Sequence, residues 1–125
     1  MVPFVLPRGG TRLFIHVSTL APHTRDMQAH PRVALLVMAE SDAATPPVAL
    51  PRVALQADAV TLPRDGSDHG FAQAAYLERF PDAAPTFDLG DFSLVVLQPV
   101  AARLVAGFGQ ADSLVGDALA RWLRG

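Results

Sequence analysis

Alternation of apolar and polar residues with a period of two, interrupted by proline- and glycine-rich turns, constrains this chain more than any other feature. Such a period sends successive side chains to opposite faces, so each alternating run is a candidate half-buried strand. Thr11 to Val17 is the clearest run: Leu13, Ile15 and Val17 share one face, and Arg12, Phe14, His16 and Ser18 the other, polar side. It follows the extended residues 2–6 and the turn Pro7-Arg8-Gly9-Gly10, which together read as a hairpin. Val48 to Leu62 alternates over a longer span, with Pro51 marking an edge or bulge because proline cannot donate to a ladder. Phe92 to Leu97 reads as a further strand, with a turn at Pro99 and a hairpin partner over Arg103 to Phe108. Arg32 to Ala39 is continuously apolar after its first residue, as in a strand buried on both faces.

Between these runs the spacing becomes helical. Leu20 to His30 reads as a helix capped by Ser18 or Thr19, with Pro22 in the first turn and Pro31 closing it. Gly70 to Phe80 places Phe71, Ala74, Ala75, Leu77 and Phe80 at helical intervals and ends before Pro81. Asp112 to Leu123 does the same with Leu114, Val115, Ala118, Leu119, Trp122 and Leu123. Glu40 to Pro47 and Pro63 to His69 read as loops, and residues 81–90 as irregular. About six strands joined by hairpins, with helices at their ends, imply an α+β fold: a small antiparallel β-barrel with flanking helices, in one domain over residues 1–125.

Composition removes several kinds of chemistry. The chain has no Cys, which excludes disulfides, thiol catalysis and thiolate metal sites. It also has no Lys, so no lysine Schiff base can form. Ten Arg against twelve Asp and Glu, with no basic run, argue against a nucleic-acid-binding face. No stretch approaches the length of a membrane-spanning helix, and the N-terminus lacks the pattern of a secretion signal, so a cytoplasmic protein is expected. Half of the residues are hydrophobic. That excess fits either a monomer with an apolar surface or an oligomer that buries one face, and the oligomer is favoured because large apolar patches are uncommon on monomers.

Four histidines, His16, His23, His30 and His69, show no metal-ligand spacing. Ser18, His23 and Asp26 could be arranged as a triad, but no nucleophile elbow accompanies them. Gly107-Phe108-Gly109 lacks the spacing of a dinucleotide fingerprint. The junction Ser18 to Asp26 carries more: hydroxyls, backbone N–H groups and Arg25 gathered at a helix start could hold a phosphate. Ordinary helix capping accounts for the same residues equally well.

Val17-Ser18-Thr19-Leu20-Ala21-Pro22-His23-Thr24-Arg25-Asp26-Met27, followed by His30-Pro31-Arg32-Val33-Ala34-Leu35-Leu36, resembles a family motif. The motif belongs to the pyridoxamine 5'-phosphate oxidase-like flavin-binding split barrels, in the branch that includes heme-utilization proteins. Pro51-Arg52-Val53-Ala54-Leu55, Tyr76-Leu77-Glu78-Arg79-Phe80-Pro81, Asp91-Phe92 and Gly107-Phe108-Gly109-Gln110-Ala111 resemble further motifs in the same order. The resemblance implies a six-stranded split barrel, a homodimer, and FMN at the subunit interface. Its phosphate would be held by Ser18, Ala21, His23 and Thr24, beside the cation Arg25 of the same junction and with Arg52 near the flavin, in an oxidoreductase acting on an unidentified small molecule. Asp26 and Ala34 stand where the motif has asparagine and serine, and the helix and first strand that usually precede residues 2–6 are not seen in the sequence. A non-catalytic dimeric relic of the fold is the alternative, and a heme protein a third. Relatives that degrade heme draw an axial histidine from beyond the segment matching Gly107-Phe108-Gly109, whereas residues 110–125 hold no His, Cys, Met or Tyr. FMN is therefore the expected cofactor and heme is not.

Overall fold

Two strands of this chain are long enough to carry the rest of the sheet. The computed structural model describes residues 2–38, 44, 50–105 and 111–125. Its elements are β1 (Leu13–Ser18), α1 (Pro22–Ala29), β2 (Arg32–Met38), β3 (Arg52–Thr61), α2 (Ser67–Arg79), a 3₁₀ segment (Pro81–Asp88), β4 (Phe92–Val105), β5 (Ala111–Leu114) and α3 (Gly116–Arg124). All pairings are antiparallel, in the order β1-β4-β3-β2, with β5 also on β4. The sheet curls into a half-barrel with helices at its flanks, the α+β architecture expected.

β4 is one strand of 14 residues and not the expected pair of strands with a turn at Pro99. Pro99 pairs with Ala57 and Ala101 with Gln56, which leaves Val100 as an extra residue at the register shift. A bulge tolerates proline because the ladder already misses a bond there. The first half of β4 pairs with β1 and the last four residues with β5, on the same edge. Pairing also overrides local periodicity at the C-terminal end: residues 111–114 join the sheet, and Gly116, at φ 56°, turns the chain into a helix shorter than expected. The expected hairpin of residues 2–6 with β1 reduces to one bridge, in which Val5 and Phe14 exchange both backbone bonds. The expected loop Glu40–Pro47 lies, apart from Ala44, outside the described residues, as does Gly107-Phe108-Gly109-Gln110.

The alternation in β1 divides two cores. Leu13, Ile15 and Val17 face the inside of the curl with Leu55, Ala57, Ala59, Val95 and Leu97, closed by Leu119 and Leu123 of α3. Phe14 faces outward, but that face is covered too: Leu94, Val96 and Leu62 pack there against Ala72 and Tyr76 of α2. β2 departs from expectation in the opposite sense. It is the sheet edge: Val33 and Leu35 are half-buried against the main core, while the other face is open, with Leu36 59% and Met38 46% exposed.

Candidate functional site

The junction between β1 and α1 is built from hydrogen bonds that its own residues use up. Ser18 Oγ accepts from the Leu20 N–H at 3.2 Å, and the Ser18 carbonyl accepts from the Ala21 N–H at 3.2 Å and the Thr24 hydroxyl at 2.7 Å. The Thr24 and Arg25 N–H groups both donate to the Ala21 carbonyl, at 3.1 and 3.3 Å. Thr19 donates its N–H and its hydroxyl to the Asp91 carbonyl, at 2.6 and 3.0 Å. The residue at the cap position is Ala21, not Ser18 or Thr19, and Pro22 opens the helix. Thr24 is 1% exposed, whereas His23, Arg25 and Asp26 face solvent. No hydrogen bond joins Ser18, His23 and Asp26 among the described residues, so the triad on paper does not assemble.

Of the residues assigned to a phosphate, the fold brings Ser18, Ala21, His23, Thr24 and Arg25 into one turn. Arg52, expected near the flavin, lies away from that turn within the chain. Arg52 opens β3 opposite Met38 and Val105, whereas β1 runs beside the Thr61 end. Nine residue steps of strand, about 30 Å, separate the two ends of β3.

A second cluster, on the outer face of β1, escaped the sequence reading. His16 was placed on the polar side of its strand, yet its ring stacks on Phe87 at 3.9 Å and 5°. Tyr76 meets the same ring edge-on at 5.8 Å, and Phe92 lies at 5.2 Å. Thr86 Oγ1 sits 3.3 Å from His16 Nδ1 and donates its one proton to the Ala83 carbonyl at 2.7 Å. The hydroxyl can therefore only accept from the imidazole, which assigns the proton to Nδ1 and leaves the Nε2 lone pair free of it. Burial holds His16 below the ordinary imidazole range, and the nearby His69 and Arg64 charges push the same way. Arg64 in turn donates through Nη2 to the carbonyls of Leu89, Gly90 and Phe92, clasping the loop ahead of β4. Burial likewise raises the Tyr76 phenol. The signal available in the sequence was Phe14: a large apolar residue two places before His16, on the same strand face, implies that something covers that face.

An antiparallel half-barrel whose long strand bridges both edges, with a helix at the β1–β2 connection, defines the split-barrel class. The comparisons narrow the class. No protein-family model matches the chain. It is 33% identical over 111 residues to the chloroplastic non-canonical heme oxygenase HOZ of Arabidopsis thaliana, covering 89% of this chain and 32% of that protein. It is 32% identical over 118 residues to the heme oxygenase HutZ of Vibrio cholerae, covering 94% of this chain and 66% of that protein. Among solved structures, a heme-binding protein from Mycobacterium smegmatis superposes with TM-score 0.77 at 34% identity, over 88% of this chain and 44% of that one. A pyridoxamine 5'-phosphate oxidase-like protein from Listeria innocua shares the fold, with TM-score 0.60 at 15% identity, over 83% of this chain and 74% of that one. The chain belongs to the pyridoxamine 5'-phosphate oxidase-like split-barrel family, in its heme-utilization branch.

These relatives overturn two expectations. The FMN-dependent oxidoreductase reading is not supported, and the exclusion of heme is reversed, since the named relatives are heme oxygenases and heme-binding proteins. The geometry offers a physical reason for the first error. The FMN reading treated the β1–α1 junction as a set of open donors, but the N–H groups of Leu20, Ala21, Thr24 and Arg25 and the Thr24 hydroxyl are bonded within the turn, and Thr19 is bonded to Asp91. Among the described residues no helix is long and apolar enough to cross a membrane.

Proposed function

We propose that this chain is a heme-binding split barrel, serving a protein that stores or breaks down heme. The observation that carries the reading is the 32% identity to the heme oxygenase HutZ along 94% of the chain. The chain's own chemistry fits such a ligand. His16 is neutral, held in one tautomer by Thr86, and keeps a lone pair on Nε2, which is the form of imidazole that binds a metal. His69 is the second imidazole of the same neighbourhood, and aromatic rings surround the first. Bound heme supplies iron-centred redox chemistry. What the protein supplies is a neutral donor, a fixed ring and a patch poor in water.

The test is a hemin titration followed by absorbance. A saturable, sharp Soret band that is weakened in His16→Ala or His69→Ala supports the reading. A broad, non-saturating shift, unchanged in both variants, overturns it. We propose in addition that a second copy of the chain covers the β2–β3 face as a homodimer. Leu36 and its register partner Ala54 are both exposed there, next to the exposed Met38.

A further inference from the structure

A groove of about 330 Å³ opens where three distant parts of the chain meet: the turn Pro7–Gly10, the start of β1 with Arg12 and Phe14, and the last turn of α3 with Arg124, with Phe71 of α2 on its wall. Three arginines, Arg8, Arg12 and Arg124, line it in a chain whose net charge is −2. Of the three, Arg12 alone has an anionic neighbour among the described residues, Asp68 at 3.5 Å, and its guanidinium also lies 5.5 Å from the centre of the Phe14 ring. Arg8 and Arg124 have no ion-pair or hydrogen-bond partner among the described residues. Three arginines against one carboxylate give the concavity an excess of positive charge, which a bound anion would neutralise. The apolar half of the groove is equally specific: Phe71 is 56% exposed, and its ring meets Phe14 edge-to-face at 6.1 Å.

We propose that this groove binds the anionic edge of a flat apolar molecule with two carboxylates, the chemistry of a tetrapyrrole dicarboxylate. The inference rests on the heme reading for the identity of the ring, and on the groove for the carboxylates. Guanidiniums bind carboxylates through paired, charge-assisted hydrogen bonds, and the exposed Phe71 ring offers a stacking surface beside them. The volume suits one edge of such a ring and its two acidic arms, with the body of the molecule outside. The groove is separate from the His16 cluster: four residue steps, about 13 Å, lie between Arg12 and His16, and Phe14 between them is 1% exposed beneath α2.

Arg8 and Arg124 are exposed and touch neither core, so Arg8→Gln with Arg124→Gln should fold as the parent does, which circular dichroism checks. Metal-free protoporphyrin IX is the probe, because it carries the two carboxylates and has no iron for a histidine to bind. Its fluorescence titration should show saturable binding to the parent and about tenfold or weaker binding to the double variant. The dimethyl ester of the same porphyrin should bind the parent no better than the acid binds the variant. Equal affinity of the acid for parent and variant, or equal affinity of acid and ester for the parent, overturns the proposal. Hemin titrations of both proteins separate the two readings. If the parent takes the porphyrin through its arginines but hemin gives no sharp Soret band, the heme reading fails and the groove stands. If hemin gives that band in both proteins alike while the porphyrin is indifferent to the arginines, the groove fails and the heme reading stands.

Discussion

Replacing Thr24 by valine tests whether the β1–α1 junction is a structural knot or an open ligand cradle. Thr24 is 1% exposed, and its hydroxyl donates to the Ser18 carbonyl at 2.7 Å. Valine keeps the shape but puts a methyl where the hydroxyl was, and a carbon cannot sit that close to an oxygen; ordinary C···O contacts begin near about 3.3 Å. The lost hydrogen bond is worth about 1 kcal/mol. The Ser18 carbonyl keeps the Ala21 N–H at 3.2 Å, so the larger cost of stranding a buried acceptor is not incurred. Adding the displacement of the turn gives about 1.5 kcal/mol in total, within the ordinary span for single substitutions. Unfolding entropy scales to about 0.26 kcal/mol/K for 125 residues, so the melting temperature should fall by about 6 °C. Thr24→Ser keeps the bond and loses one buried methyl, costing about 0.8 kcal/mol, and should be the milder variant. Urea unfolding followed by circular dichroism or by the single Trp122 measures both. A valine variant as stable as the parent would refute the reasoning, because a hydroxyl reserved for a ligand can be deleted without destabilising the empty protein.

Stability should fall with acidification through His16. Its folded pKa lies below the ordinary imidazole value of about 6.5, so the unfolded chain takes up a proton first; the stabilisation is complete above that value and is lost as pH falls through the folded pKa. His16→Phe keeps a ring against Phe87 and has nothing to titrate, so comparing urea midpoints of the two proteins between pH 7 and 5 should show a slope in the parent that the variant lacks; parallel curves would count against it. Sedimentation should give twice the mass of the 125-residue chain at tens of micromolar, and Leu36→Asp should shift the protein towards the monomer. A monomeric parent at that concentration would leave the exposed β2–β3 face without its proposed cover.

What the sequence made legible was local. Period-two runs located β1 and β3, and the prolines at 22, 31 and 81 bounded α1 and the end of α2, because those signals act within a few residues. Errors arose where a distant partner decided the outcome. Pro99 reads as a turn until β3 supplies a bulge to receive it. Asp112 to Leu114 read as the start of a helix until β4 offers a free edge. The apolar run of β2 reads as doubly buried, since hydrophobicity alone does not reveal that a strand ends the sheet.

The candidate site follows the same logic, with a consequence for how the junction and the cluster divide the work. At the junction the sequence supplied residues open to two uses, because a side chain that could bind a phosphate can equally satisfy its own backbone. Whether a hydroxyl is free depends on the fold: Thr24 is spent on Ser18, and Thr19 reaches 72 residues along the chain to Asp91. His16 shows the converse. In its immediate neighbourhood only Phe14 hints that its face is covered, and its tautomer and lowered pKa come from distant groups: Thr86 fixes the tautomer, burial against Phe87 and Tyr76 lowers the pKa, and the His69 and Arg64 charges push the same way. A donor assembled this way is fixed before any ligand arrives, so the cost of ordering it is met in folding rather than in binding. The closed junction and the covered outer face are then parts of one arrangement: the first locks β1 to α1 and to the loop ahead of β4, and that anchored strand holds Phe14 under α2 and the His16 ring against Phe87 and Tyr76.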